Sequence, residues 1–527
     1  MKGTSLVSAI ALLGLVCAEA SAVEAEKRPN ILFAIADDWS VHAGCYGTPW
    51  VKTPAVDRIA REGIRFTNAF TPMAKCAPSR AIVLTGRHLW QNGEAGNHQA
   101  YFPADLKVWP EALVEAGWRV GFTGKGWGPG VANDASGKPR RLTGTAHQKR
   151  KSPPPTKGIS DLDYAANFSD FLDATPAAGN PWCFWYGGFE PHRGYEAGSG
   201  ASKGGKKPSD VDHVPGYLPD SDVVRDDLLD YAYEVEHFDA HLGRMVAELE
   251  KRGLLERTLV VVTSDHGMPF PHVKGFAYHD SNHVPLLIRW PAGLKSPGRV
   301  VEDFVDFTDL APTFLDYAGV DVAKAGMKPI TGDSLRPILE ADHGGRIVAG
   351  RDHVLVGKER TDVGRPHDWG YPIRGIADAD FLYLRNYEPS RWPAGNPETG
   401  YLDVDGGPSK SLILERGRKD RSDLFWRLCF GMLPADELYD LRNDPDCVRN
   451  LAADPAQADR VRSLRDRMES ELRAQGDPRM LGRGLVFDEY KATSNAGFYD
   501  AYLRGEKLKA GWVTPTDFEP APITPRP

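Results

Sequence analysis

The run Asn30-Ile31-Leu32-Phe33-Ala34-Ile35-Ala36 is apolar at every position after Asn30 and ends in Asp37-Asp38. A strand with one wet face would alternate in polarity. Unbroken hydrophobicity instead requires a strand covered on both faces, in the interior of a layered sheet. Three further runs repeat the pattern, each delivering polar groups at its end: 119–124 before Lys125, 181–188 before Phe189-Glu190-Pro191-His192-Arg193, and 258–263 before Ser264-Asp265-His266-Gly267. Residues 284–290 and 301–307 read as additional strands. Helices are predicted at 54–63, 109–116, 222–252 and 308–318. In the longest, Tyr231, Val235, Phe238, Leu242, Met245 and Leu249 follow steps of three and four, forming one apolar face. Strands alternating with helices predict an α/β fold, a doubly wound and mostly parallel sheet with reactive side chains at the carboxyl ends of its strands.

The pattern changes near residue 345. Short strand-like runs at 373–377, 381–386 and 437–440, with a helix near 455–474, predict a smaller C-terminal α+β domain. The expected organisation is a leader at 1–22, a main domain at 23–344, the smaller domain at 345–475 and a loop-rich extension at 476–527. The leader is read as an export signal: Lys2 precedes an apolar run from Leu6 to Val16, and Ala20-Ser21-Ala22 offers a small-residue cleavage site. A first core helix is the alternative reading. No later stretch is long and apolar enough for a membrane span, so the expected location is periplasmic or secreted. The net charge of −8 argues against general affinity for nucleic acid. Basic residues gather at Lys138, Arg140, Arg141, Lys149, Arg150 and Lys151 and again at Lys203, Lys206 and Lys207. Such loops either collect a polyanion or are solvated tips.

Adjacent carboxylates such as Asp37-Asp38 repel each other, so burying them calls for a cation or hydrogen-bond donors. An exposed loop with a helix-capping Asp is the alternative. The second reactive feature is Lys75-Cys76-Ala77-Pro78-Ser79-Arg80, running on to Leu84-Thr85-Gly86-Arg87. Pro78 disfavours helix at the residue before it, so this segment is expected to begin as a loop, with Ser79 capping a following helix. Backbone N–H groups and an arginine beside the cysteine make a setting for an anion. Outside the leader the cysteines are Cys45, Cys76, Cys183, Cys429 and Cys447. With Cys76 consumed by oxidation, four remain for one or two disulfides.

The Cys-x-Pro-Ser-Arg string with Leu-Thr-Gly-Arg resembles the maturation signature of the formylglycine-dependent sulfatases. The resemblance extends from Arg28 to about Leu451 and takes in Lys274-Gly275-Phe276-Ala277-Tyr278, His283-Val284-Pro285 and Glu437-Leu438-Tyr439-Asp440-Leu441. At 263–271 and 190–193 the chain is most similar to heparan N-sulfatase (sulfamidase)-like members. The resemblance implies an alkaline-phosphatase-like fold. It also implies that a formylglycine-generating or sulfatase-maturating enzyme converts Cys76 to 3-oxoalanine, whose hydrate is the nucleophile. Asp37, Asp38, Asp265 and His266 would hold one divalent cation, Ca²⁺ by the hardness of the carboxylates, with Mg²⁺ or Mn²⁺ open because imidazole is a poor Ca²⁺ ligand. Arg80 and Lys125 would neutralise the sulfuryl oxygens, and His192 and Lys274 would protonate the leaving atom. From position alone Arg193 and His98 are read as substrate contacts; His98 falls in a polar, Gly-containing loop, where a solvated histidine is the commoner alternative. The chain departs from the family at Trp127, His279 and His283, where relatives commonly carry His, Glu and Arg.

The expected function is hydrolysis of an O- or N-sulfate on a sulfated oligosaccharide or polysaccharide of glycosaminoglycan type. Two other classes are weighed: a phosphonate or phosphate ester hydrolase of the same superfamily, and a non-catalytic protein that binds sulfated sugars.

Overall fold

The computed structural model describes residues 28–175 and 181–524, so the leader-like segment lies outside the described residues. The Asn30–Ala36 strand is buried at every position, as is Thr258–Ser264 beside it. Across the central sheet the order is Arg299–Asp306, Ile64–Phe70, Leu286–Arg289, Thr258–Ser264, Asn30–Ala36, Trp182–Gly187, Arg119–Gly124 and Thr145–Ala146. All neighbours pair in parallel except Leu286–Arg289, which is antiparallel to both of its neighbours. The central strand explains its own composition. Ile31, Phe33 and Ile35 pack into one core with Ile82, Val83 and Phe314, whereas Leu32, Ala34 and Ala36 pack into another with Val235, Phe238 and Leu242. A polar residue on either side would be buried without a partner.

The helix Asp222–Lys251 runs along one face, with the Ser221 side chain accepting from the Val224 N–H at its start. On the other face the helix Cys76–Thr85 is buried at all ten positions. It begins three residues before Ser79, correcting the expected cap. Pro78 falls in the first turn, where backbone N–H groups lack helical partners and a missing one costs nothing. The Ser79 hydroxyl instead donates to the Asp265 carbonyl at 2.5 Å.

The second sheet is antiparallel, in the order His353–Lys358, Ile373–Asp378, Phe381–Asn386 and Asp436–Asp440, with the helix Ala458–Ala474 following it in the chain. The fold is therefore mixed α/β, a large mostly parallel sheet with a separate small antiparallel one. The Gly- and Pro-rich segment 128–160, whose composition reads as a long excursion from the scaffold, is partly tied into the sheets. Gly130–Ala132 pairs with Ala100–Phe102, and Thr145–Ala146 adds an edge strand to the central sheet. All five described cysteines are free, so neither of the allowed disulfides forms among the described residues. No helix among the described residues is long and apolar enough to cross a membrane.

One buried ion pair anchors the second sheet. The Arg374 guanidinium, with no exposed surface, donates to Asp477 at 2.6 Å and to Glu359 at 2.7 Å. Glu359 keeps Arg479 as a second partner at 2.6 Å; among these contacts the Asp477 carboxylate has only Arg374 as a cationic partner. Arg374→Ala should therefore strand a buried charge and cost about 3–5 kcal/mol, read as a fall in the denaturant midpoint at unchanged slope.

Candidate active site

The carboxyl ends of adjacent strands bring the expected residues to one place. Asp37 and Asp38 follow Asn30–Ala36, Asp265 and His266 follow Thr258–Ser264, Lys125 follows Arg119–Gly124, and His192 lies in the turn after Trp182–Gly187. Asp38 adopts a left-handed conformation, φ 72°, which lets its N–H donate to Asp265 Oδ1 at 3.0 Å. Carboxylate oxygens of Asp37, Asp38 and Asp265 all lie within 4.8 Å of one another, and ligand atoms of Asp38, Cys76 and His266 form a second such group.

Cys76 stands at the first position of its helix, 1% exposed. Its Sγ is 3.5 Å from His266 Nε2 and 3.9 Å from Asp38 Oδ1. Burial and Asp37 push the thiol pKa up, but Lys125, Lys274 and His192 outweigh them and hold it well below the usual range.

Arg80 lies one helical turn from Cys76 and spends its donors on the scaffold: Nε to Asp265 at 2.8 Å, Nη1 to the carbonyls of Lys125 and Gly126 at 3.1 Å each, and Nη2 toward Asp37 at 3.3 Å. This geometry fits fixing three strand ends better than reaching a substrate. Lys125 holds both oxygens of Asp37, at 2.6 and 2.8 Å, and keeps some exposure. Lys274 sits between Asp38 and Asp405, 2.6 Å from each. His192 is the accessible member, its side chain 35% exposed, with Nδ1 donating to the Arg193 carbonyl at 3.0 Å and Nε2 directed inward, 3.9 Å from Asp38. Burial and Lys274 lower its pKa, Asp38 and Cys76 raise it by more, and it stands at about 9.

The donor set fits a hard divalent cation. His266 Nδ1 donates to the Gly267 carbonyl at 2.9 Å and Nε2 faces Asp38 and Asp265, which against the pull of burial hold its pKa well above the usual histidine range, so a cation would take the place of the Nε2 proton. Lys125 and Arg80 hold Asp37 far below the usual carboxylate range against the pull of burial, and Lys274 does the same for Asp38. Burial and repulsion from Asp37 push Asp265 the other way, to about 7. A bound cation would favour the ionised form of this third carboxylate.

Two expected substrate contacts are placed differently. Arg193 makes a bidentate pair with Asp227 at 2.6 and 2.8 Å and donates to the Pro269 carbonyl at 2.9 Å, which ties the His192 turn to the long helix. His98 is buried beside Cys76, not solvated in a loop. Its Nδ1 is 3.6 Å from Asp362, and burial lowers its pKa to about 4. Trp127 donates to the Ala77 carbonyl at 2.9 Å, in the helical turn that bears Cys76. His283 donates to the Thr67 carbonyl at 2.7 Å and stacks on Phe70, and His279 lies 3.5 Å from Asp280. Of the basic loops, Lys149, Arg150 and Lys151 are exposed, but Arg140 pairs with Glu111 and the buried Lys206 with Glu236, so neither of these two belongs to a free basic surface.

Sequence reasoning missed Lys75, Glu190, Asp362 and Asp405. Lys75 is buried 3.3 Å from Asp362. Glu190 accepts from Tyr164 at 2.9 Å and from the Ser160 N–H at 2.8 Å, while its carbonyl accepts from the Asp37 N–H. One signal was available: Asp403-Val404-Asp405-Gly406-Gly407 pairs acidic residues with glycines in a stretch otherwise read as loop.

A sulfatase family model matches residues 29–320, more than half of the chain and every expected site residue. The chain belongs to the sulfatase family. This sulfatase is 30% identical to an ulvan-active sulfatase of Formosa agariphila, over 86% of this chain and 81% of the relative. It is also 30% identical to human N-sulphoglucosamine sulphohydrolase, over 88% of this chain and 93% of the relative. A solved structure of a protein in complex with its substrate D-glucosamine-2-N,6-O-disulfate shares the fold, with a TM-score of 0.59 at 22% identity, covering 86% of this chain and 99% of that one. The chain is accordingly a hydrolase of sulfate esters.

Proposed function

We propose that this sulfatase releases sulfate from a sulfated carbohydrate, with Cys76 matured to 3-oxoalanine and one divalent cation held by Asp37, Asp38, Asp265 and His266. The observation that carries the reading is the position of Cys76 Sγ, 3.5 Å from His266 and 3.9 Å from Asp38, beside the carboxylate cluster. The relatives named for ulvan and for N-sulphoglucosamine support a carbohydrate substrate. Bound there, the cation would polarise a sulfate oxygen and the aldehyde hydrate would serve as nucleophile. Ca²⁺ suits the three carboxylates best.

The chain's own residues set the rest. Lys125 and Lys274 bring positive charge to where sulfuryl oxygens bind, each such preorganised donor being worth roughly 3–4 kcal/mol in the transition state. His192 holds a proton on Nε2 at the exposed edge, where an ester oxygen or a sulfamate nitrogen would leave. Arg80 keeps Asp265 and Asp37 in register. Residues 1–22 support export, to the periplasm or medium.

Sulfate and phosphate monoesters of one leaving group, assayed beside N-sulfated and 6-O-sulfated glucosamine, test the reading. We expect kcat/KM at least about tenfold higher for a sulfated sugar than for the phosphate ester. Faster hydrolysis of the phosphate would overturn it in favour of a phosphoester hydrolase, and binding without turnover in favour of a lectin-like protein.

A further inference from the structure

We propose that Asp405 is a positioning residue for the reaction, fixing Lys274 from outside the segment that matches the family model; the inference rests on the reading of Lys274 as part of the catalytic site. Lys274 Nζ lies 2.6 Å from Asp38 Oδ2 and 2.6 Å from Asp405 Oδ2, and all three side chains are buried. Asp38 is assigned to the cation, so its oxygens are shared. Asp405, which lies with Asp38 and His192 within 4.8 Å, is outside the set assigned to the cation and has Lys274 as its ion-pair partner. A lysine is a compact charge on a flexible stem and is poorly aimed by one partner. Held between two carboxylates, it has one ammonium N–H direction left for an incoming oxygen.

The surroundings of Asp405 are built for fixity. Gly275, next to Lys274, has φ +80°, donates its N–H to the Ala74 carbonyl at 2.9 Å, and leaves a Cβ only 2.8 Å from the Asp403 carbonyl oxygen. The Lys274 turn is thus pressed between the chain leading to Cys76 and the loop bearing Asp405. Buried Lys410 donates to the carbonyls of Gly400 and Val404 at 2.9 and 2.8 Å and pairs with Asp517 at 3.3 Å. Trp512 Nε1 donates to the Leu402 carbonyl at 2.9 Å, and the Gly406 N–H donates to the Trp512 carbonyl at 2.7 Å. The final segment of the chain therefore braces the 401–407 loop from behind.

A double-mutant cycle on an aryl sulfate tests this. Asp405→Asn keeps the shape and removes the charge, and should lower kcat about 10–100-fold while KM moves by less than about threefold. Lys274→Ala should lose more, and the double variant Lys274→Ala/Asp405→Asn no more than Lys274→Ala alone. Asp405→Glu, which restores the charge one methylene further out, should recover part of the loss and serves as the second variant if Asp405→Asn does not fold. Wild-type kcat in Asp405→Asn, or losses that multiply in the double variant, would overturn the proposal. Because the probe is an aryl sulfate, failure of the carbohydrate reading shows separately, as absence of turnover on sulfated sugars with the cycle intact.

Discussion

Cys76→Ala is expected to give a folded protein whose sulfate release falls by on the order of 10⁴–10⁶-fold, the range seen when a nucleophile is removed from a preorganised site. The structural cost is small. The side chain lost is one sulfur in a helix buried at every position, worth about 1 kcal/mol. The chemical cost is complete, since the neighbouring hydroxyls are already committed. Ser79 donates to the Asp265 carbonyl, and Thr71 and Ser79 bond each other at 2.8 Å. Neither can become a geminal diol. Intact-protein mass separates the two parts of the claim: conversion of the thiol to the aldehyde makes the active protein lighter than its sequence, and the variant matches its sequence. A variant turning over near the wild-type rate would refute a nucleophile at position 76.

Asp265→Ala should be nearly as damaging, by a different route. Asp265 accepts from the Asp38 N–H and from Arg80 Nε, so its removal takes away a candidate ligand and frees the arginine that aligns Asp37. We expect the divalent-ion concentration for half-maximal activity to rise by at least about 100-fold, with saturating ion restoring only part of kcat. Chelator treatment of the wild-type protein should abolish activity, and readdition of Ca²⁺, Mg²⁺ or Mn²⁺ in turn should rank the ions. Activity indifferent to both chelator and substitution would make the three carboxylates structural.

Much of the site was legible because its residues end strands whose hydrophobicity has a single explanation. Phe33 can only sit between Trp185 and Phe314 if its strand is covered on that side, and Leu32 demands the same of the other. Once 30–36 is central, Asp37 and Asp38 must emerge at a ligand-bearing edge. The role of Asp405 was hidden for the converse reason, although its acidic, glycine-flanked stretch stands out. It lies in an irregular loop, and nothing local announces that Lys274 is its partner 131 positions away. The Arg193–Asp227 pair could not be read in advance, because it depends on how the long helix packs against the His192 turn. His98 shows the same limit from the other side. Its loop composition reads as wet, yet the loop is covered by Asp362 and by residues near the end of the chain, Thr493 donating to the Gln99 carbonyl.

The buried ion pairs between the two sheets also determine how the molecule moves. Lys274 with Asp405 and Lys75 with Asp362 join the larger lobe to residues beyond 360, and Asp227, paired with Arg193 inside that lobe, accepts from Ser409 Oγ at 2.6 Å. Swinging the lobes apart would strand these charges away from both water and partners, at several kcal/mol for each pair. Closure around a substrate is therefore not available as a gate. We expect the lobes to ride through turnover as one body, with His192 at the exposed edge of the site.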